Sequence, residues 1–330
     1  MACRNLDHLP PLVRLQIHDR GPYRPRTDSV TMTPMEQRDQ AAASPLPAAS
    51  LDALVPAAIA RKAEDLGVVK AEMEFTKLFA LAVLAGAFIS LGALFSTVVT
   101  AGGGTPAGVS RLLGGVVFSL GLVLVVVAGA ELFTGNTLVI IAFASRRVRL
   151  VRLLRNWGIV YLGNVVGAVA TAMLVVLSRR LESGDGSMGV RTLDIALAKT
   201  NLKVPDAFVS GILANTLVCL AVWLSMSARS VTDKVIAVVP PVAAFVAIGF
   251  EHSIANLYFV PVAMFERLLA RSSFWTTTKT SADAYRSITW PRFVEHNLIP
   301  VTLGNIVGGA VLVGLTYWFV YLRPTSSEKR

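Results

Sequence analysis

The chain has 330 residues, of which 54% are hydrophobic and only 16% charged, with a formal net charge of +10. Even a large water-soluble fold leaves much of its surface in solvent, too much to hide that apolar share, so lipid is the expected solvent. The positive charge invites a nucleic-acid reading. The Lys and Arg residues, however, gather at the ends of apolar stretches and in the N-terminal region, the placement produced by the positive-inside rule, and no nucleic-acid partner is expected. Two cysteines, Cys3 and Cys219, give no disulfide framework, and no Cys/His grouping points to a metal or other cofactor.

In chain order, residues 1–48 read as a disordered arm, polar and Arg-containing, ending in the small-residue linker AAASPLPAAS. No continuous apolar stretch follows its arginines, which argues against a cleaved signal peptide, and Met32 or Met35 competes as the first residue. Residues 49–76 contain an amphipathic stretch, LDALVPAAIARKAEDLGVVKAE, expected to lie on the membrane surface. A channel domain is expected over 77–322. Its six apolar stretches, roughly 77–100, 112–144, 156–178, 207–228, 234–266 and 297–322, each reach the about 20 residues needed to cross a bilayer.

The densest basic loop holds Arg146, Arg147, Arg149, Arg152 and Arg155, between the second and third stretches, and is expected to be cytoplasmic. Six crossings then put both termini, including a tail at 323–330, in the cytoplasm. Trp157, Tyr317 and Trp318 read as interfacial anchors, and the Ser- and Thr-rich loop 267–295 as a cap on the opposite side.

The second and fifth stretches are over-long and carry polar residues mid-span. Glu131 is followed five positions later by Asn136 (ELFTGN), and Glu251 by Asn256 (EHSIAN). The third and sixth share LGNVVG at 162–167 and LGNIVG at 303–308. Three crossings per half make the halves inverted repeats, with a functional site expected near the midplane where helices are broken. Glycines and Asn164 or Asn305 in the shared block also serve helix packing in lipid. A buried Glu in each half is harder to explain by packing, because ionisable residues inside a membrane usually face a cavity or a partner.

Three strings, GILANTLVCLAVWLS (211–225), GFEHSIAN (249–256) and NLIPVTLGNIVGGAVLVGLTYW (297–318), resemble the formate/nitrite transporter family, the bacterial formate channels most closely. The resemblance runs from about Leu51 to Arg323. It implies an all-α integral membrane fold of six transmembrane helices in two inverted three-helix repeats, an aquaporin-like topology with helices 2 and 5 interrupted. It also implies a homopentamer in the bacterial inner membrane with one pore per protomer; no nucleophile–base pair, metal cluster or phosphate loop appears in the spans, so no enzymatic activity is expected. Leu132, Phe133 and Thr134 look like the loop of the second helix. Phe118, Leu122 and Phe245 look like one apolar constriction, and Val218 with His252 like the second. Lys199 resembles a lysine that places positive charge at the periplasmic mouth. Glu131, Gly135 and Asn136 depart from the Asp, Ser and Thr frequent in enterobacterial formate channels, which leaves nitrite and hydrosulfide open as substrates.

A bare anion stalls at an apolar ring, since desolvating a carboxylate costs about 20 kcal/mol in an idealised Born estimate. A histidine titrates within the physiological range, so His252 is expected to protonate the anion at the constriction and let it pass as neutral formic acid. Thr134 and Asn215 are expected to donate hydrogen bonds to the anion, Lys199 to gather anions, and Glu251 to hold the loop or tune His252. The alternatives are a nitrite or hydrosulfide channel, or a formate:proton symporter on the same fold.

Overall fold

The computed structural model describes residues 52–324. The expected arm at 1–48, with Cys3, Met32 and Met35, and residues 325–330 of the expected tail lie outside the described residues. The described residues are helical throughout, with no strand.

Helix α1 (Pro56–Glu72) starts on a proline, whose fixed φ and missing N–H suit a first turn. It buries Ile59, Ala60, Ala63, Gly67 and Ala71, one stripe at helical spacing, and this stripe packs on protein: a Cβ at Gly67 would lie 2.9 Å from Cβ of Ala142. Within the expected 49–76 segment the helix therefore occupies 56–72. Helix α2 (Phe75–Ala101) is capped by Glu74, whose carboxylate accepts the N–H groups of Thr76 and Lys77, both at 2.9 Å.

Next come α3 (Ala107–Ala128), α4 (Phe133–Ala144), α5 (Leu150–Leu177), α6 (Ser187–Thr200), α7 (Val204–Ser227), α8 (Val231–Ile248), α9 (Ser253–Leu269), α10 (Ser272–Thr278) and α11 (290–321). Six segments are long and apolar enough to cross a membrane: α2, α3, α5, α7, α8 and the C-terminal Ala282–Tyr321 containing α11. The bent pair α9 and α10, which meet at 107°, passes the same test together. Stretch 112–144 thus falls on two helices, α3 and α4, and stretch 234–266 on α8 and α9. The connection at 179–203 holds a helix, α6, that hydropathy alone does not mark. It buries Gly189, Thr192, Leu193, Ala196 and Thr200 on one face and keeps charge on the other. Loop 267–295 contains α10 and a short turn at Ala282–Tyr285, tied down by buried Phe274 and Tyr285.

The two LGNxxG blocks explain how the bundle closes. A Cβ at Gly167 of α5 would run into the carbonyl of Val83 on α2, and one at Gly308 of α11 into the carbonyl of Ile212 on α7. Small residues let these helix pairs approach to backbone contact, the packing mode of helices in lipid. The outward faces stay apolar, with Leu84, Leu91, Phe95 and Val98 exposed on α2 and Leu154, Leu162 and Val166 on α5. Helix α9 differs: Ser253 through Met264 are all buried, so it lies inside the protein.

Candidate functional site

Helices α3 and α8 end alike. Gly129 and Gly249 take left-handed conformations (φ 81° and 90°), where a side chain would be strained, and their N–H groups close the last turns. The chain then runs extended through Leu132 or His252 before α4 or α9 begins. Such backbone inside an apolar bundle leaves polar groups that protein must satisfy.

The shared asparagines do so. Asn164 Oδ1 accepts the N–H of Phe133 at 2.9 Å, while its Nδ2 donates to the carbonyls of Ala82 (2.7 Å) and Glu131 (2.9 Å). Asn305 repeats each bond: Oδ1 accepts Ser253 N–H at 2.9 Å, and Nδ2 donates to the carbonyls of Gly211 (2.7 Å) and Glu251 (3.1 Å). The two glutamates are held in matching fashion. Glu131 accepts from Lys70 Nζ (2.6 Å) and Asn136 Nδ2 (2.7 Å); Glu251 accepts from Lys199 Nζ (2.9 and 3.0 Å) and Asn256 Nδ2 (2.6 Å). Asn156 and Asn297 close the rings, accepting from Asn136 (3.1 Å) and Asn256 (2.7 Å) and donating to the carbonyls of Lys70 (2.8 Å) and Lys199 (3.2 Å). Lys70 comes from α1 and Lys199 from α6, so each set of three long helices is preceded by a shorter helix that supplies the cation.

His252 and Thr134 bring the two loops together. Thr134 Oγ1 lies 2.9 Å from His252 Nε2, and His252 Nδ1 accepts the N–H of Ala255 at 3.1 Å, capping α9. An Nδ1 that accepts carries no hydrogen, so Nε2 bears it and Thr134 Oγ1 is the acceptor. In this conformation His252 is a neutral donor. Its ring stacks on Phe245 with centroids 5.9 Å apart, and Phe245 meets Phe118 edge-on at 5.7 Å. Phe245 and His252, expected in separate constrictions, are therefore neighbours in one apolar set.

A cavity of about 360 Å³ opens on Phe118, Phe245, Lys199, Glu251, Asn256 and His252. A second, of about 230 Å³, opens on Leu122, Glu131, Leu132, Asn136 and Lys70. The two share no lining residue, and neither includes Thr134, Phe133 or Val218. Phe118, Leu122, Val218, Phe245, Thr134 and His252 are all buried. At the smaller cavity, burial and then the charges of Lys234 and Arg229 hold Lys62 below the usual lysine range.

Two expected residues, Asn215 and Trp157, sit differently from their reading. Asn215 has no N–H to spare for an anion: Nδ2 donates to the carbonyl of Asn305 (2.6 Å), to Thr137 Oγ1 (3.2 Å) and to the carbonyl of Thr134 (3.3 Å). It clamps α7 to α11 and α4. Glu251, expected to hold the loop or tune His252, engages Lys199, Asn256 and Asn297. Trp157, read as an interfacial anchor, donates to the carbonyl of Asn136 at 2.9 Å and packs edge-on against Phe133. Sequence reading passed over Lys70, Asn156 and Asn297 as site residues. The signal was present, because each of the latter two stands eight residues before an LGN asparagine.

The sequence profile described as formate/nitrite transporter matches residues 57–319. The chain belongs to the formate/nitrite transporter family. The expected resemblance is thereby met, and the chain is a multi-pass membrane protein of that family. It is 47% identical over 273 residues to the formate channel FocA of Escherichia coli (strain K12), covering 82% of this chain and 96% of that one. It is 39% identical over 264 residues to the formate channel FocA of Haemophilus influenzae, covering 80% and 93%. A solved pentameric formate channel with formate bound superposes with a TM-score of 0.72 at 45% identity, covering 76% of this chain and 98% of that chain. An ion channel of the same family gives a TM-score of 0.67 at 29% identity, covering 80% and 98%.

Proposed function

We propose that this protein is a channel for small monovalent anions, formate first, with one pore in each protomer of a homopentamer of the bacterial inner membrane and both termini cytoplasmic. Its relatives are named formate channels, and a solved relative at 45% identity is pentameric with formate bound. The observation that carries the reading is a pair of cavities that share no lining residue and are set apart by an apolar gap, with His252 on the larger one bonded to buried Thr134.

In this reading α3 with α4, and α8 with α9, are each one crossing interrupted at its glycine, and the halves are inverted repeats. The twofold Lys–Glu–Asn network supports that pairing. The gap is the apolar constriction. A formate ion reaching it sheds water at a cost that neutralisation avoids. For His252 to lend a proton, Nδ1 gives up its bond to Ala255 N–H and takes a proton. The imidazolium then releases the Nε2 hydrogen to the carboxylate, giving neutral imidazole and formic acid. The acid crosses the apolar stretch and, as it ionises on the far side, returns the proton to the neutral imidazole. The O–H of Thr134, not used toward His252, is the donor that meets the anion.

The test is uptake by proteoliposomes of formate, nitrite, hydrosulfide and lactate across pH. Passage of formate upholds the reading. Passage of nitrite without formate replaces the substrate and leaves the family intact. Accumulation of formate against its gradient under an imposed pH difference makes the protein a symporter.

A further inference from the structure

Lys199 is the cation expected to gather anions, but its ammonium is spanned by both oxygens of Glu251 and lies 5.4 Å from the ring centre of Phe259. An ion pair presents little net charge to an incoming ion. The same 360 Å³ cavity holds two further cations, Arg111 of α3 and Arg191 of α6. Arg111 is exposed and makes no hydrogen bond or ion pair among the described residues. Arg191 is half-buried; its Nε reaches Thr100 Oγ1 at 3.4 Å, which leaves both terminal nitrogens open. Asp194, the cavity's other carboxylate, is engaged by the hydroxyl of Tyr285 at 3.0 Å. The opposite mouth divides its cations in the same way: Lys70 is paired with Glu131, and Lys62 and Lys234 line the cavity without a carboxylate partner among the described residues.

We propose that Arg111 and Arg191 form the anion-capture site of the mouth that leads to His252, taking a small planar carboxylate before it meets Phe118 and Phe245. A guanidinium presents two parallel N–H groups that fit a carboxylate and holds its hydration loosely, so it binds and releases such an ion without a deep well. Lys199, locked to Glu251, is then a positioning residue that holds the loop. This assignment rests on the anion-channel reading above. It adds which residues set the concentration dependence of flux.

The experiment compares R111Q/R191Q and R111K/R191K with the unaltered protein in proteoliposomes, reading initial formate flux against concentration at low and high ionic strength. With the Debye length near 30 Å at about 0.01 M, the Gln pair raises half-saturating formate on the order of tenfold and leaves maximal flux unchanged. At about 1 M, where the Debye length is near 3 Å, the difference disappears. The Lys pair keeps the charge and loses the fork, and falls between. An unchanged half-saturation at low ionic strength in a conducting Gln pair overturns the assignment. If the unaltered protein passes no formate, the channel reading fails by itself, and the site is judged by phenylglyoxal labelling located by mass spectrometry. Labelling of both arginines slowed severalfold by formate, relative to equal chloride, upholds capture; equal labelling overturns it.

Discussion

Thr134 and His252, 118 residues apart, meet at 2.9 Å where the starts of α4 and α9 face one another. Because Ala255 occupies Nδ1, the hydrogen between them belongs to the histidine. The threonine hydroxyl keeps its own proton for another acceptor. The two loops are thus joined through a single bond with one unused donor beside it.

Replacing Thr134 by valine removes both the acceptor and the spare donor at constant shape. The stranded Nε2–H is a buried unsatisfied group, worth about 1–3 kcal/mol in stability. Loss of a comparable contact to the passing anion lowers flux on the order of tenfold. T134S retains both functions and most of the flux. Paired thermal-melt and uptake measurements check this, and equal flux in T134V and T134S removes Thr134 from the conduction path.

The proton loan has a pH signature. Flux through the unaltered protein rises as pH falls, since acid favours the imidazolium that gives up the proton. H252F has no proton to lend, so its flux, once the formic acid crossing protein-free liposomes is subtracted, loses the rise toward acid pH. A pH profile in H252F that matches the unaltered protein eliminates the loan.

Asn164 and Asn305 make three equivalent bonds each, so their loss is equivalent. N164L or N305L strands one backbone N–H and the loop carbonyl of Glu131 or Glu251, each worth about 1–3 kcal/mol, while the carbonyls of Ala82 and Gly211 keep their helical partners. Both variants lose detergent-solubilised thermal stability by similar amounts, measured by the melting midpoint of monodisperse protein. A large loss in one and none in the other denies that the two networks carry the same load.

The Lys199–Glu251 pair is tested by a double-mutant cycle. E251Q leaves an ammonium with no counter-charge in a site where the two side chains are 15% and 6% exposed. Breaking a fully buried pair costs about 3–5 kcal/mol, and this partly exposed one less. Adding K199M to E251Q restores part of the loss, because the stranded charge goes with it. Strict additivity of the two substitutions rules out coupling.

The membrane crossings, the LGN repeat and the Glu-x4-Asn blocks were legible because each is a local pattern of hydropathy or spacing. Helix α6 was not, since a helix with one buried face and one charged face has no apolar run to notice. Lys70 escaped because a basic residue ahead of a crossing reads as a topology signal. Its partner Glu131 lies 61 residues away, and only the fold brings the two together. Asn215 and Thr134 are both polar residues in apolar surroundings. Their sequence neighbours do not reveal that the amide is consumed by carbonyls while one hydroxyl proton stays free. Trp157 sits near the start of α5, where an aromatic belt is the ordinary reading, but the helix turns it inward onto Phe133.

In the proposed channel, the break between the two cavities bears on more than the choice of anion. A thread of hydrogen-bonded water through the protein would relay protons by hopping, and any such wire short-circuits the gradient a cell maintains across its membrane. Here the two cavities share no lining residue, and Val218 and Thr134, on neither lining, are buried. A channel built on such a break would pass its anion without offering protons a continuous wire.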